Sequence, residues 1–156
     1  MEIRLDQLGE PRFTWRETIE LTPDELAHDD LLSLGSIDCR GSIDVTTSGF
    51  VFRLALAYEQ TLSCVRCLTD IRSRETPELD LLIGLREEED DAGEETEIGL
   101  EREDLGALML RTPVLDTKPL VVEQAQLGLP MKPLCKKDCA GLCGSCGSAL
   151  NQGACD

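Results

Sequence analysis

Two Cys-x-x-Cys pairs and a cysteine-rich end constrain this chain more than any other feature. The pairs are Cys64/Cys67 and Cys143/Cys146; the second, with Cys135, Cys139 and Cys155, makes five of the last 22 residues cysteine. A two-residue spacing lets one tight turn aim two thiolates at a single metal, about 2.3 Å from each sulfur for zinc. Gly144 and Gly147 ease that turn in the second pair. The start, Met1-Glu2-Ile3-Arg4, lacks the basic-then-apolar pattern of a secretion signal. The expected setting is therefore a reducing cytoplasm, where clustered cysteines ligate metal or do redox chemistry more often than they form structural disulfides. From Pro133 onward large apolar residues are scarce. Such a segment cannot hold itself by burial and needs a staple, which a thiolate-bound metal supplies. Thiolate-only sites favour zinc first and iron–sulfur second, so one or two zinc ions are expected.

Two groupings of the ligands are open. One joins the two Cys-x-x-Cys pairs into a ribbon-like site. The other joins Cys64 and Cys67 to Cys135 and Cys139, leaving Cys143, Cys146 and Cys155 for a second site. Four thiolates on Zn(II) carry a net −2, which Arg66, Lys132, Lys136 and Lys137 could offset, unless they are simply solvated surface. Cys39 reads differently: it shares an apolar strand face with Ile37, Ile43 and Val45, so it is expected to be a small buried hydrophobe. His28, the only histidine, sits beside Asp29 and Asp30 and reads as a surface residue.

The body of the chain reads as strands. Phe13, Trp15, Ile19 and Leu21 alternate with polar residues, and Phe50, Phe52, Leu54, Leu56 and Tyr58 form the return arm of a hairpin turned at Thr47-Ser48-Gly49. Leu79, Leu81, Ile83 and Leu85 alternate again, which puts the Cys64/Cys67 turn between two strands. Thr22-Pro23-Asp24-Glu25 carries a capping box and predicts a short helix ending near Leu34-Gly35. Asp116 to Pro119 opens a second helix over Leu120 to Leu127, stopped by Gly128 and Pro130. Leu105 to Val114 is expected to return to the sheet. The fold class that follows is α+β: a mainly antiparallel β domain over 1–130 with one or two helices, and a zinc-stapled, cysteine-rich tail over 131–156.

Charge narrows the function. The chain has 156 residues, with 15 Lys+Arg against 31 Asp+Glu, a net of −16. Eleven of the acids lie in residues 87–104 against one Arg, which reads as a solvated acidic loop. A broad phosphate-neutralising surface is not expected, so direct binding of naked nucleic acid is disfavoured and a basic protein suits the field better. No run is long and apolar enough to span a bilayer. No phosphate-cradling glycine loop and no Ser/His/Asp set is present. Thiol redox chemistry at Cys64/Cys67 or Cys143/Cys146 is the competing enzymatic reading, and a generic zinc-ribbon interaction module is a third. Strands on both sides of Cys64/Cys67 lower the thioredoxin-like version, which needs a helix N-terminus after a strand.

The segments Leu62-Ser-Cys64-Val-Arg-Cys67-Leu68, Leu129-Pro-Met-Lys-Pro-Leu-Cys135 and Cys139-Ala-Gly-Leu-Cys143-Gly-Ser-Cys146-Gly, followed by Leu150-Asn151, resemble the YceD-like family. It is also called the large ribosomal RNA subunit accumulation protein family, or domain of unknown function 177. The resemblance spans most of the chain. It implies a cytoplasmic, non-enzymatic role in accumulation or processing of 23S ribosomal RNA. It also implies a basic ribosomal protein of the large subunit, or an rRNA–protein assembly intermediate, as partner. By the same resemblance Cys64 and Cys67 form the first knuckle and Cys135, Cys139, Cys143 and Cys146 occupy the tail positions. Family tails commonly end Cys-x-Cys, whereas here Cys155 is followed by Asp156.

Overall fold

A computed structural model describes residues 1–85 and 106–153. The acidic run at 87–104, Leu105 and Cys155 lie outside the described residues. Among these, nine strands and one α-helix are found: β1 (Glu2–Arg4), β2 (Arg12–Ile19), β3 (Leu31–Leu34), β4 (Ile37–Thr46), β5 (Gly49–Ser63), β6 (Asp70–Glu75), β7 (Glu78–Leu85), β8 (Ala107–Leu110), β9 (Val114–Asp116) and α1 (Thr117–Leu127).

The 15-residue β5 is the spine. On one flank it pairs antiparallel with β4 and then β3; on the other it pairs with β7 and then β6. The breaks between these partners are bonded back to β5: Gly35 N–H donates to Glu59 C=O at 2.8 Å and Leu56 N–H to Pro77 C=O at 2.9 Å. Pro77 lacks an N–H for the ladder, which accounts for the break there. β2 extends the sheet beyond β4, and β8 joins β7 in parallel. β1 and β9 form a separate two-stranded sheet.

Alternation decides which face is covered. Ile37, Cys39 and Ile43 of β4 and Phe52, Leu54, Leu56, Tyr58 and Leu62 of β5 are buried together with Trp15 and Ile83. Val121 and Ala125 of α1 are fully buried in the same core. Trp15 lies opposite Gly41 across the β2–β4 ladder, and a Cβ on Gly41 would come within 2.1 Å of the indole ring. The missing side chain in the Ile37–Ile43 series is therefore the space the indole occupies. Val45 and Leu85, expected on the buried face, are exposed at the strand ends.

The helix expected after Thr22 does not form. The capping box is present, with Glu25 accepting from Thr22 N–H at 2.8 Å, but the segment makes only a 3-10 turn over Pro23–Leu26. Ala27 then adopts φ 47°, and Leu31–Leu34 pairs with β5 as strand β3. The unpaired flank of β5 outcompetes the local helix signal. In contrast α1 starts and stops where expected: Asp116 accepts from Lys118 N–H at 3.1 Å and Gly128 closes the last turn. Of the return to the sheet expected over Leu105 to Val114, the described part, 106–114, joins the main sheet only through β8, because β9 pairs with β1 instead. His28 is half-buried, its Nε2 3.3 Å from Pro130 C=O and its Nδ1 enclosed without a partner.

Candidate metal centre

The β5–β6 connection is a tight knuckle. Cys64 N–H donates to Thr69 C=O at 3.0 Å and Leu68 N–H to Cys64 C=O at 2.8 Å, with Leu68 in the left-handed region at φ 58°. This turn points the sulfurs of Cys64 and Cys67 the same way. The tail is brought against it by Val65 N–H to Pro133 C=O at 3.0 Å and by the Arg66 guanidinium, which donates to Cys139 C=O at 2.9 Å. Gly141, at φ 79°, lies against the Arg66 carbonyl, where a Cβ would sit 3.3 Å from the oxygen.

Four sulfurs meet there. The Sγ atoms of Cys64, Cys67, Cys135 and Cys139 all lie within 4.8 Å of one another. Cys64 and Cys139 are 3.8 Å apart, and Cys67 and Cys135 3.6 Å. A disulfide requires about 2.05 Å. Tetrahedral bonds of about 2.3 Å separate neighbouring sulfurs by about 3.8 Å, so the observed spacing fits a four-thiolate ion site. Three of the four thiols are buried, with Ile71 and Leu134 packed beside them, and Cys135 is exposed. The cluster can hold a metal ion, and it closes a span of 75 residues between Cys64 and Cys139.

The surroundings of Cys64 and Cys67 favour negative sulfur. Burial pushes the Cys64 thiol up, but the N–H groups of Cys135, Arg66 and Cys67 outweigh this and bring it down to about 6. The Thr69 hydroxyl lowers the Cys67 thiol. Cys135, though exposed at the surface, is pushed up to about 12 by desolvation of its sulfur among the other thiols and by their hydrogen bonds. Asn151 supplies a further donor: its Nδ2 lies 3.1 Å from Cys139 Sγ and 3.6 Å from Cys135 Sγ, and its Oδ1 accepts from Ala140 N–H at 2.9 Å. Spacing rules single out the sulfurs; they do not single out Asn151 or Thr69, and only the Asn151 motif carried any signal.

Cys143 and Cys146 stand apart from this group, in a knuckle that repeats the first. Cys143 N–H donates to Ser148 C=O at 2.8 Å, Gly147 N–H to Cys143 C=O at 2.9 Å, and Gly147 takes φ 75° where Leu68 takes 58°. Cys146 Sγ lies 3.0 Å from Ser148 Oγ, as Cys67 Sγ lies 3.3 Å from Thr69 Oγ1. Among the described residues, the sulfurs brought together are those of Cys64, Cys67, Cys135 and Cys139. Cys39 is buried in the main core, its thiol pushed up to about 12 by burial and then by Glu17 and Asp38.

Residues 52–156, which contain both knuckles, match the family described as large ribosomal RNA subunit accumulation protein YceD. The chain belongs to that family. It is also 29% identical over 126 residues to uncharacterised proteins of Mycobacterium bovis and Mycobacterium tuberculosis, covering 81% of this chain and 56% of each relative. An uncharacterised protein of Mycobacterium leprae is 29% identical over 87 residues, 56% of this chain and 36% of the relative. The chain thus spans about half the length of the curated relatives it matches. No solved structure matches it significantly. The family's description names accumulation of large-subunit ribosomal RNA. No helix among the described residues is long and apolar enough to cross a membrane.

Proposed function

We propose that this protein is a zinc-stabilised, non-enzymatic factor that supports 23S rRNA accumulation and large-subunit assembly in the cytoplasm. It does so by holding a basic ribosomal protein or an rRNA–protein intermediate. The family match over 52–156 carries the pathway, and the four-sulfur cluster carries the metal. Zinc is the ion of choice because four thiolates in a tetrahedral, water-poor setting suit it. Cys64, Cys67, Cys135 and Cys139 hold one ion. Cys143 and Cys146, with Cys155, contribute ligands to a second. Residues 131–156 then form a metal-ordered tail on a β-rich body over 1–130.

The energetic need for metal is plain. Hydrogen bonds such as Val65 to Pro133 add about 1 kcal/mol each, whereas a structural zinc ion contributes on the order of 10 kcal/mol. A thiol redox role is less well supported: four sulfurs converge where exchange chemistry needs a pair, and Cys64 and Cys139 come from separate segments.

Loss of the gene should lower 23S rRNA relative to 16S, and the wild-type copy should restore it. Unchanged ratios under conditions that demand rapid ribosome synthesis would refute the functional reading.

A further inference from the structure

The whole-chain charge conceals a local inversion. Residues 63–75 and 131–153, the knuckle with β6 and the tail docked on it, carry Arg66, Arg72, Arg74, Lys132, Lys136 and Lys137 against Asp70, Glu75 and Asp138. That is +3 at one end of a −16 chain, leaving −19 for the remainder. A four-thiolate divalent centre would subtract 2 and still leave the end positive. None of the six cations makes an ion pair among the described residues, unlike Arg12 and Arg53, which share Asp44. Lys132, Lys136 and Lys137 are all exposed around the cluster.

Two further features mark this end as a contact surface. Arg72 and Arg74, two residues apart on one face of β6, edge a cavity of about 530 Å³ that also takes Ser33, Glu59 and Thr61. On the same segments Met131 is 94% exposed and Leu68 64%. The cavity wall is polar and offers no deep apolar pocket of the kind that anchors a protein side chain. The described aromatic rings lie on the buried face of the sheet or at its rim, so serial base stacking is not available. What remains is a spread of unpaired cations flanked by aliphatic groups, suited to a polyanionic backbone and its sugars.

We infer that this basic end contacts the phosphate backbone of RNA. The inference rests on the rRNA reading above and deepens it. An rRNA–protein intermediate is then gripped at two places: RNA by the knuckle, β6 and tail, and a basic protein by the acidic remainder. Arginine forks on β6 take phosphate oxygens bidentately, and the tail lysines act as point charges.

The test is fluorescence anisotropy of the full, zinc-loaded chain with a labelled 20-base-pair RNA duplex and its single strand, across a potassium chloride series. Two variants remove the surface, Lys132→Gln/Lys136→Gln/Lys137→Gln and Arg72→Gln/Arg74→Gln. A control, Arg12→Gln/Arg16→Gln, removes as much charge as the second from β2. Unchanged zinc content and Trp15 fluorescence report folding in each. Binding should weaken at least tenfold in the first two and by less than twofold in the control. The slope of log affinity against log salt should fall by about 0.7–0.9 per lost contact. Equal weakening by the control, displacement of RNA by polyglutamate at equal charge, or no binding by the wild type would overturn the assignment. If 23S rRNA is still lost on gene deletion in that event, the functional reading stands and this surface alone falls.

Discussion

At the scale of the residue, Asn151 shows what a sulfur cluster demands beyond its ligands. Its amide orientation is fixed because Oδ1 accepts the Ala140 N–H, so Nδ2 faces Cys139 and Cys135. An N–H aimed at a thiolate lowers the cost of its charge, and losing such an outer partner typically costs 10–100-fold in metal affinity. Asn151→Ala should weaken zinc binding by about that factor in competition with a chromophoric chelator. Asn151→Asp should weaken it more, since a carboxylate replaces the donor. Equal affinity in both variants would show that the amide plays no part. Cys39 is the contrasting thiol. Enclosed by Ile37 and Ile43 and held far above neutral pKa, it should resist alkylation by iodoacetamide until the protein unfolds, and peptide mapping of the native protein should find it unmodified. The ligating sulfurs could be read from Cys-x-x-Cys spacing, because a turn has few ways to converge two side chains. Asn151 was visible only as part of a family motif, because a donor to sulfur can come from any loop.

At the scale of the element, the same sequence signal was decisive in one place and overruled in another. The β4–β5 hairpin and α1 follow from alternation and capping because nothing competes with them. The capping box at Thr22–Glu25 forms as written, yet β3 follows it, since an unpaired flank of β5 would leave backbone groups unsatisfied. Nor could the parallel β7–β8 pairing be anticipated, because alternation names a face and not a neighbour. The box makes a pH-dependent contribution. The Thr22 backbone N–H, then Lys118, holds the Glu25 carboxyl below its ordinary value. Its stabilisation is therefore complete above the unfolded pKa of about 4.3 and is lost as pH falls through the lower folded value. The stability gap between wild type and Glu25→Gln should shrink on acidification across that window; a gap constant from pH 6 to pH 3 would contradict it. Gly41 makes a sharper demand. With Trp15 occupying the space of any Cβ, Gly41→Ala should destabilise by about 1–3 kcal/mol, read by denaturant titration of Trp15 fluorescence.

At the scale of the whole molecule, two kinds of cohesion divide the work. The β5 spine and α1 close a conventional apolar core, while the tail meets that body through a small separate cluster of Cys64, Cys67 and Cys139 with Ile71 and Leu134. The fold class was legible because strand alternation survives across most of the chain. The charge asymmetry was not, because composition averages over the tail and the acidic remainder, and only the docking of Pro133 on Val65 and Cys139 on Arg66 gathers the cations at one end. If metal secures that docking, its removal should free the tail while leaving the sheet intact. Chelation should then speed tryptic cleavage after Lys136 and Lys137, as their backbone is freed, while the Trp15 signal persists.

The most direct measurement is native mass spectrometry of the full chain from its own cells, in reducing buffer without added metal, beside Cys139→Ser. The account predicts zinc on the wild type and one ion fewer on the variant. A metal-free wild type with all thiols intact, or a variant with unchanged zinc, would contradict it.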